Sequence, residues 1–209
     1  MIAQDGTVLY DDHASNAVTP ASALKLVVAD AALTSLTPHF HYDTLFAAMQ
    51  PPAGSRLDGD LWLIGSGDPS LRSEDLLAGV RELHAKGVQS IHGRVVVDGS
   101  AVAGEEINPL WNADDGNEDF MTATSGISVD GDTVEFDVTG TSPGQTANVQ
   151  IRPQSPQVRS YGSITSGGGD NVIIAATQTP NQFRLAGNIP PGVQEKFWVP
   201  VHGIPQYAG

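Results

Sequence analysis

The chain has 209 residues, of which 40% are hydrophobic and 16% charged, a composition typical of a globular protein rather than a disordered or fibrous one. Ten Lys and Arg oppose 24 Asp and Glu, so the formal net charge is −14, which makes nucleic acid and anionic membranes poor partners. The absence of cysteine excludes disulfides, thiolate zinc sites and cysteine nucleophiles.

The first predicted elements are a strand over residues 7–10 and a helix that begins near Pro20. Proline in the first turn is a normal helix start, and Pro38 is a natural stop. Between them, apolar residues recur at helical spacing. These residues are Leu24, Val27, Val28, Ala31, Ala32 and Leu36.

A strand, a helix and a second strand are predicted next, over residues 59–65, 73–87 and 91–98. Ser73 is suited to cap the helix start and Gly87 its end. This order within about 40 residues favours a βαβ unit with parallel strands.

From about Ser125 onwards, apolar and polar residues alternate and are interrupted by glycine and proline. This pattern predicts a β-rich region with antiparallel strands. Phe183, Phe197 and Trp198 are candidates for its core.

The tetrad Ser22-Ala23-Leu24-Lys25 is the main candidate for chemistry. Residues three apart share a helix face, so the serine hydroxyl and the lysine amine can meet. Serine needs an adjacent base to act as a nucleophile, and a lysine can be that base. Ser-x-x-Lys is the arrangement of penicillin-recognising enzymes. The alternative is a helix-capping Ser22 beside a solvated Lys25.

Several further segments along the chain match the pattern of one protein family. They are residues 6–10, 19–26, 58–63, 65–71, 93–98, 109–111, 198–201 and 207–208. In order and spacing, these segments resemble the D-alanyl-D-alanine carboxypeptidases/endopeptidases of the class C low-molecular-mass penicillin-binding type.

The resemblance implies an α+β (mixed α/β) fold. Residues 1–47 would be a fragment of a serine β-lactamase/transpeptidase-like domain with the Ser-x-x-Lys helix. Residues 48–209 would be an inserted α/β domain. Within it we expect the βαβ unit at about 59–98 and a nested β-rich subdomain at about 135–185.

The resemblance also implies a cell-envelope enzyme that acts on peptidoglycan stem peptides. Ser22 would be acylated by the penultimate D-alanine carbonyl, with Lys25 as its general base, and β-lactam antibiotics would acylate the same serine. Asp115 and Phe120 would present a carboxylate and an aromatic ring to the free end of the diaminopimelate side chain. The alternative for that segment is a solvated acidic loop.

The sequence departs from the family pattern in two motifs. It contains neither Ser-x-Asn nor Lys-Thr-Gly, which complete proton transfer and bind the substrate carboxylate in the family. We therefore expect this chain to be incomplete or inactive by itself. A non-catalytic envelope module that binds peptidoglycan or a protein is the alternative function, and a β-lactamase-like esterase is a third.

Other expectations concern ligands and location. We expect no cofactor and no metal, because His39 and His41 lack a third ligand nearby in the sequence. No uncharged apolar run approaches the roughly 20 residues that span a bilayer. Residues 1–6 lack the features of an export signal, so a periplasmic or extracellular location follows from the resemblance alone. An exposed apolar face on the Ser22 helix would favour self-association.

Overall fold

Residues 1–41 form one unit of the chain and residues 42–209 form a second. The computed structural model describes residues 1–111 and 120–209. Helices and strands both occur, so the predicted α+β class is confirmed. The finer domain limits that the resemblance implies stay a prediction.

The first unit contains the predicted helix. A 3₁₀ turn over Ala21–Ala23 leads into α1 (Leu24–Leu36). The helix ends where Thr37 adopts a φ of 69° and Pro38 follows. No residue of this unit is buried, so the apolar side chains of α1 are exposed.

The strand predicted over residues 7–10 is wrong. Only an isolated antiparallel bridge joins Ile2 and Val8. The chain reverses at Gly6, which has a φ of 86°, and the Thr7 amide donates to Asp5 Oδ1 at 2.9 Å. The pairing between the two sides of this turn is limited to that bridge.

The second unit contains thirteen strands and two helices in its described residues. They are β1 (Leu45–Ala48), β2 (Arg56–Leu57), β3 (Leu61–Ile64), α2 (Ser73–Ala85), β4 (Ser90–Ile91), β5 (Val95–Asp98), β6 (Thr133–Thr139), β7 (Asn148–Arg152), β8 (Arg159–Gly162), β9 (Thr165–Ser166), β10 (Ile173–Ala176), β11 (Gln182–Ala186), β12 (Asn188–Ile189), β13 (Gln194–Pro200) and α3 (Ile204–Ala208).

The predicted parallel pairing of β3 with β5 is present, with α2 between them in the chain. Strand β1 adds to the other edge of β3 in antiparallel orientation. Leu61 and Leu63 of β3 are buried, as alternation along a strand requires.

The start of α2 differs from the prediction. Ser73 is the first helical residue rather than the cap, and Asp75 Oδ2 accepts from the backbone amide of Arg72 at 2.9 Å. A carboxylate in the first turn also suits the helix dipole. The end of the helix agrees with the prediction, because Gly87 follows with a φ of 97°.

The core of the second unit lies against the sheet β13–β6–β7, whose pairings are all antiparallel, as predicted. Val134, Phe136 and Val138 of β6 are fully buried on one face. The rings of Phe136 and Phe183 meet edge to face with centroids 5.4 Å apart. Phe183 is thus a core residue, as expected.

The remaining β region contains exceptions to the antiparallel prediction. Strands β10 and β11 are antiparallel, but β11 pairs with β8 in parallel and β12 with β9 in parallel. Alternation of apolar residues reports which face a strand buries and not the direction of its neighbour, so this part of the prediction is wrong.

The backbones of four glycines come close together where the β3–β5 sheet meets the core. The amide of Gly126 donates to the Gly99 carbonyl at 2.9 Å, and the amide of Gly67 donates to the Gly126 carbonyl at 2.7 Å. A β-carbon on Gly126 would overlap the Gly99 carbonyl oxygen, and one on Gly65 would overlap the Gly126 carbonyl oxygen. The packing therefore requires residues without side chains here.

A left-handed turn precedes β6. Asp130, Gly131 and Asp132 all have positive φ, between 54° and 66°. The Asp132 carboxylate is buried and accepts from the Val129 amide at 3.0 Å. Burial raises the pKa of Asp132, although hydrogen bonds from Val129 and Ser128 oppose this, and the nearby Asp130 carboxylate adds to the rise.

We expect Gly126→Ala to lower the free energy of unfolding by about 1–3 kcal/mol, the usual cost of overpacking, because the new methyl group meets a backbone carbonyl. Urea denaturation measures this change. The matched control is Gly168→Ala, where nothing lies within 4 Å and the effect should be neutral or slightly stabilising. Equal effects of both substitutions would contradict the close approach.

Asp132→Asn tests the buried carboxyl through pH. A carboxyl whose pKa is raised by folding binds its proton more tightly in the native state. Its contribution to stability therefore falls as pH rises from about 4 toward the native pKa. Urea unfolding from pH 4 to 7 should show wild type losing stability relative to Asp132→Asn as pH rises. A pH-independent difference, or one of opposite slope, would contradict this assignment.

Candidate active site

Ser22 is the middle residue of the 3₁₀ turn that starts α1. The turn is closed by the Ala23 amide, which donates to the Pro20 carbonyl at 2.9 Å. A 3₁₀ turn is common at a helix start, and residues three apart in it lie on one side.

Ala21, the residue before Ser22, adopts a φ of 45°. An alanine in the left-handed region costs about 1–2 kcal/mol, because its β-carbon crowds the backbone. Backbone strain of this kind clusters at functional sites. The strained residue here adjoins the predicted nucleophile.

The Ser22 hydroxyl makes no hydrogen bond within the part of the chain that the structure describes. Ala23 occupies the cap position of α1, and no side chain caps that helix. The capping role that is the alternative for Ser22 is therefore not seen, and Ser22 is exposed.

Lys25 is the second residue of α1 and is exposed. Among residues 1–111 and 120–209, no carboxylate forms an ion pair with it. No hydrogen bond joins its amine to the Ser22 hydroxyl in the same set. That the two side chains lie on one side of the helix stays a prediction from their spacing.

The other two predicted site residues lie in the second unit. Asp115 lies outside the described residues. Phe120 is described, and its side chain is 67% exposed. Nearby, the Trp111 amide donates to the Asn108 carbonyl at 3.1 Å. Their pairing at a diaminopimelate side chain stays a prediction.

Residues 1–111 and 120–209 contain no group of three or more His, Asp or Glu side chains placed to hold a metal ion. In the same residues, no helix is both long enough and apolar enough to cross a bilayer.

The prediction that Trp198 lies in the core is wrong. Its side chain is 47% exposed. Its neighbours Phe197 and Val199 pack toward the core, so Trp198 points to the opposite face of β13. Strict alternation with Gln194 and Lys196 was the signal that would have placed it there.

Comparison with known proteins gives consistent matches along the chain. The family model described as "D-Ala-D-Ala carboxypeptidase 3 (S13) family" matches residues 2–209. A D-alanyl-D-alanine carboxypeptidase of Actinomadura sp. (strain R39) is 27% identical over 194 residues, which are 88% of this chain and 36% of that protein. The D-alanyl-D-alanine carboxypeptidase DacB of Haemophilus influenzae is 24% identical over 159 residues, 75% of this chain and 33% of that protein.

Solved structures share the fold. Penicillin binding protein 4 (dacB) from Haemophilus influenzae aligns with 98% of this chain and 46% of its own, with a TM-score of 0.80 and 20% identity. The same protein complexed with a novel β-lactam aligns with 90% of this chain and 41% of its own, at a TM-score of 0.65 and 19% identity. The chain thus spans about a third of the curated relatives and less than half of these structures.

Proposed function

Since this chain belongs to the D-Ala-D-Ala carboxypeptidase 3 (S13) family, we propose that it carries the nucleophile of a serine D-Ala-D-Ala carboxypeptidase/endopeptidase. The observation that supports this most is the position of Ser22 and Lys25. Within a chain that the family model matches over residues 2–209, Ser22 lies in the 3₁₀ turn that leads into α1, Lys25 lies in the first turn of α1, and the serine hydroxyl has no hydrogen-bond partner among the described residues.

In the proposed chemistry, the Lys25 amine acts as the base that takes the proton of the Ser22 hydroxyl. The serine oxygen attacks the carbonyl carbon of the penultimate D-alanine. The bond from that carbon to the nitrogen of the leaving amine breaks, and the amine departs with the proton. Water then attacks acyl-Ser22 and restores the hydroxyl. The same steps release terminal D-alanine or cut a peptide cross-link.

A β-lactam follows the first half of this sequence. Attack by Ser22 opens the ring amide, but the nitrogen stays tethered to the acyl group. The leaving group therefore remains in the site, and the acyl-enzyme persists. The curated relatives are named as carboxypeptidases and one solved neighbour holds a β-lactam, which supports stem peptides and β-lactams as ligands here.

Substrate selection would use the second unit. A carboxylate at Asp115 would pair with the ammonium at the free end of the diaminopimelate side chain, and the Phe120 ring would pack on its methylene groups. This assignment rests on the family pattern. The corresponding location is the cell envelope, where peptidoglycan is found.

The first test is intact mass after incubation with benzylpenicillin. We expect one penicilloyl adduct on wild type and none on Ser22→Ala. Formation should be slow, because the sequence contains neither of the two motifs that complete proton transfer and substrate binding in the family. Without Ser-x-Asn and Lys-Thr-Gly, release of D-alanine from a peptide should be undetectable with this chain alone.

Matched variants make the result specific. Ser35→Ala, on the same helix, should form the adduct as wild type does. Lys25→Met should slow adduct formation at least tenfold (about 1.4 kcal/mol in the barrier), whereas Lys86→Met should not. An equal adduct on Ser22→Ala, or none on wild type at millimolar drug, would contradict the proposal.

Self-association is a further expectation. Leu24, Val27 and Val28 of α1 are each more than half exposed, and removing such apolar surface from water is favourable. The weight-average sedimentation coefficient should rise with protein concentration, and Val27→Glu should suppress the rise while Val18→Glu should not. A single monomeric species at all concentrations would contradict this expectation.

A further inference from the structure

A cleft of about 700 Å³ lies between the first turn of α2 and the outer face of the β13–β6–β7 sheet. This volume is within the range of sites for small ligands, about 300–1,000 Å³. The described residues that line the cleft all belong to the second unit, and Ser22, Lys25 and Phe120 are not among them. Its chemistry is set by Trp198 and by charged side chains on both walls.

Trp198 supplies an aromatic surface to this cleft. It faces away from the core and leaves almost half of its surface in contact with solvent. In the sheet register it stands opposite Glu135 of β6. An exposed indole beside polar groups offers a flat apolar face to a ligand that also needs hydrogen bonds.

The polar groups beside Trp198 are held in place by one another. Lys196 Nζ lies 3.0 Å and 3.2 Å from the two Glu135 carboxylate oxygens. Arg152 Nη1 lies 3.4 Å from Glu135 and 3.1 Å from Asp137. Such a network fixes the orientation of Glu135 and Arg152, which both line the cleft, before any ligand arrives.

The opposite wall carries Arg72 and Glu74. Arg72 is exposed, and its guanidinium has no ion-pair partner among residues 1–111 and 120–209. Counting both walls, two arginines face the carboxylates of Glu74, Asp130 and Glu135. Two arginines and three carboxylates give the lining a formal charge of −1, and a mixed-charge site with this slight negative excess suits a neutral ligand rich in hydroxyl and amide groups better than an anion.

We propose that this cleft binds a neutral pyranose chain, with one sugar ring stacked on Trp198 and its hydroxyls bonded to Glu135, Arg152 and Arg72. One face of a pyranose presents C–H groups and its edge presents hydroxyls, which matches an indole flanked by planar polar groups. If the proposed function holds, the ligand is the β-1,4-linked, N-acetylated glycan that carries the stem peptides. The cleft would then hold the polymer while its peptides are processed.

The experiment is calorimetric titration of the full chain with a trimer of β-1,4-linked N-acetylglucosamine. This probe contains no peptide that Ser22 could cleave. We expect saturable binding that Trp198→Leu and Arg72→Ala each weaken at least about tenfold. Arg81→Ala is the matched control, because Arg81 lies on the same helix outside the cleft and should bind as wild type does.

Three results would overturn the inference. They are absence of binding at millimolar trimer, unchanged affinity in both Trp198→Leu and Arg72→Ala, and equal weakening by Arg81→Ala. Circular dichroism of each variant excludes unfolding as the cause of a loss. If the trimer fails to bind a preparation that still forms the penicilloyl adduct, the glycan cleft is wrong and the proposed function stands. If the trimer binds a preparation that forms no penicilloyl adduct, the proposed function is wrong and the glycan cleft stands.

Discussion

The contact of Gly65 and Gly99 with Gly126 is the constraint on which the second unit depends. Backbone hydrogen bonds join the β3–β5 sheet to the segment that leads into the core strands, and Leu63 and Ile127 belong to the same core cluster. Because a β-carbon at these positions would overlap a neighbouring backbone or side-chain atom, the distance between the two layers is fixed by chain geometry. The left-handed Asp130–Gly131–Asp132 turn then directs the chain into β6, whose outer face carries Glu135 beside Trp198.

The parts of the fold that the sequence predicts are those with local causes. Helix α1 and the βαβ order follow from spacing of apolar residues, and Gly87 marks the end of α2 because it alone tolerates the required φ. The errors have non-local causes. The strand over residues 7–10 needs a partner that the described chain does not supply, and the parallel pairs of β8 and β9 depend on contacts distant in sequence.

At the candidate site too, features that follow from local sequence can be predicted and the others cannot. The Ser-x-x-Lys spacing predicts that Ser22 and Lys25 share one side of a helix, and this stays a prediction; Ser22 lies in the 3₁₀ turn that leads into α1 and Lys25 is the second residue of α1. The family resemblance stated from the motifs is confirmed by the family model over residues 2–209. The left-handed Ala21 could not be predicted, since alanine has no preference for that region. The core prediction for Trp198 rests on its aromatic side chain. Its alternation with Gln194 and Lys196 along β13 instead indicates the exposed face.

The central claim is that Lys25 activates Ser22 as an acyl-accepting nucleophile. A crystal structure of the protein after benzylpenicillin treatment tests it most directly. The account predicts continuous electron density from Ser22 Oγ to the penicilloyl carbonyl carbon, with Lys25 Nζ within hydrogen-bonding distance of that oxygen, roughly 3 Å. Density attached to another residue, or an acylated Ser22 with the Lys25 side chain extended into solvent, would contradict it.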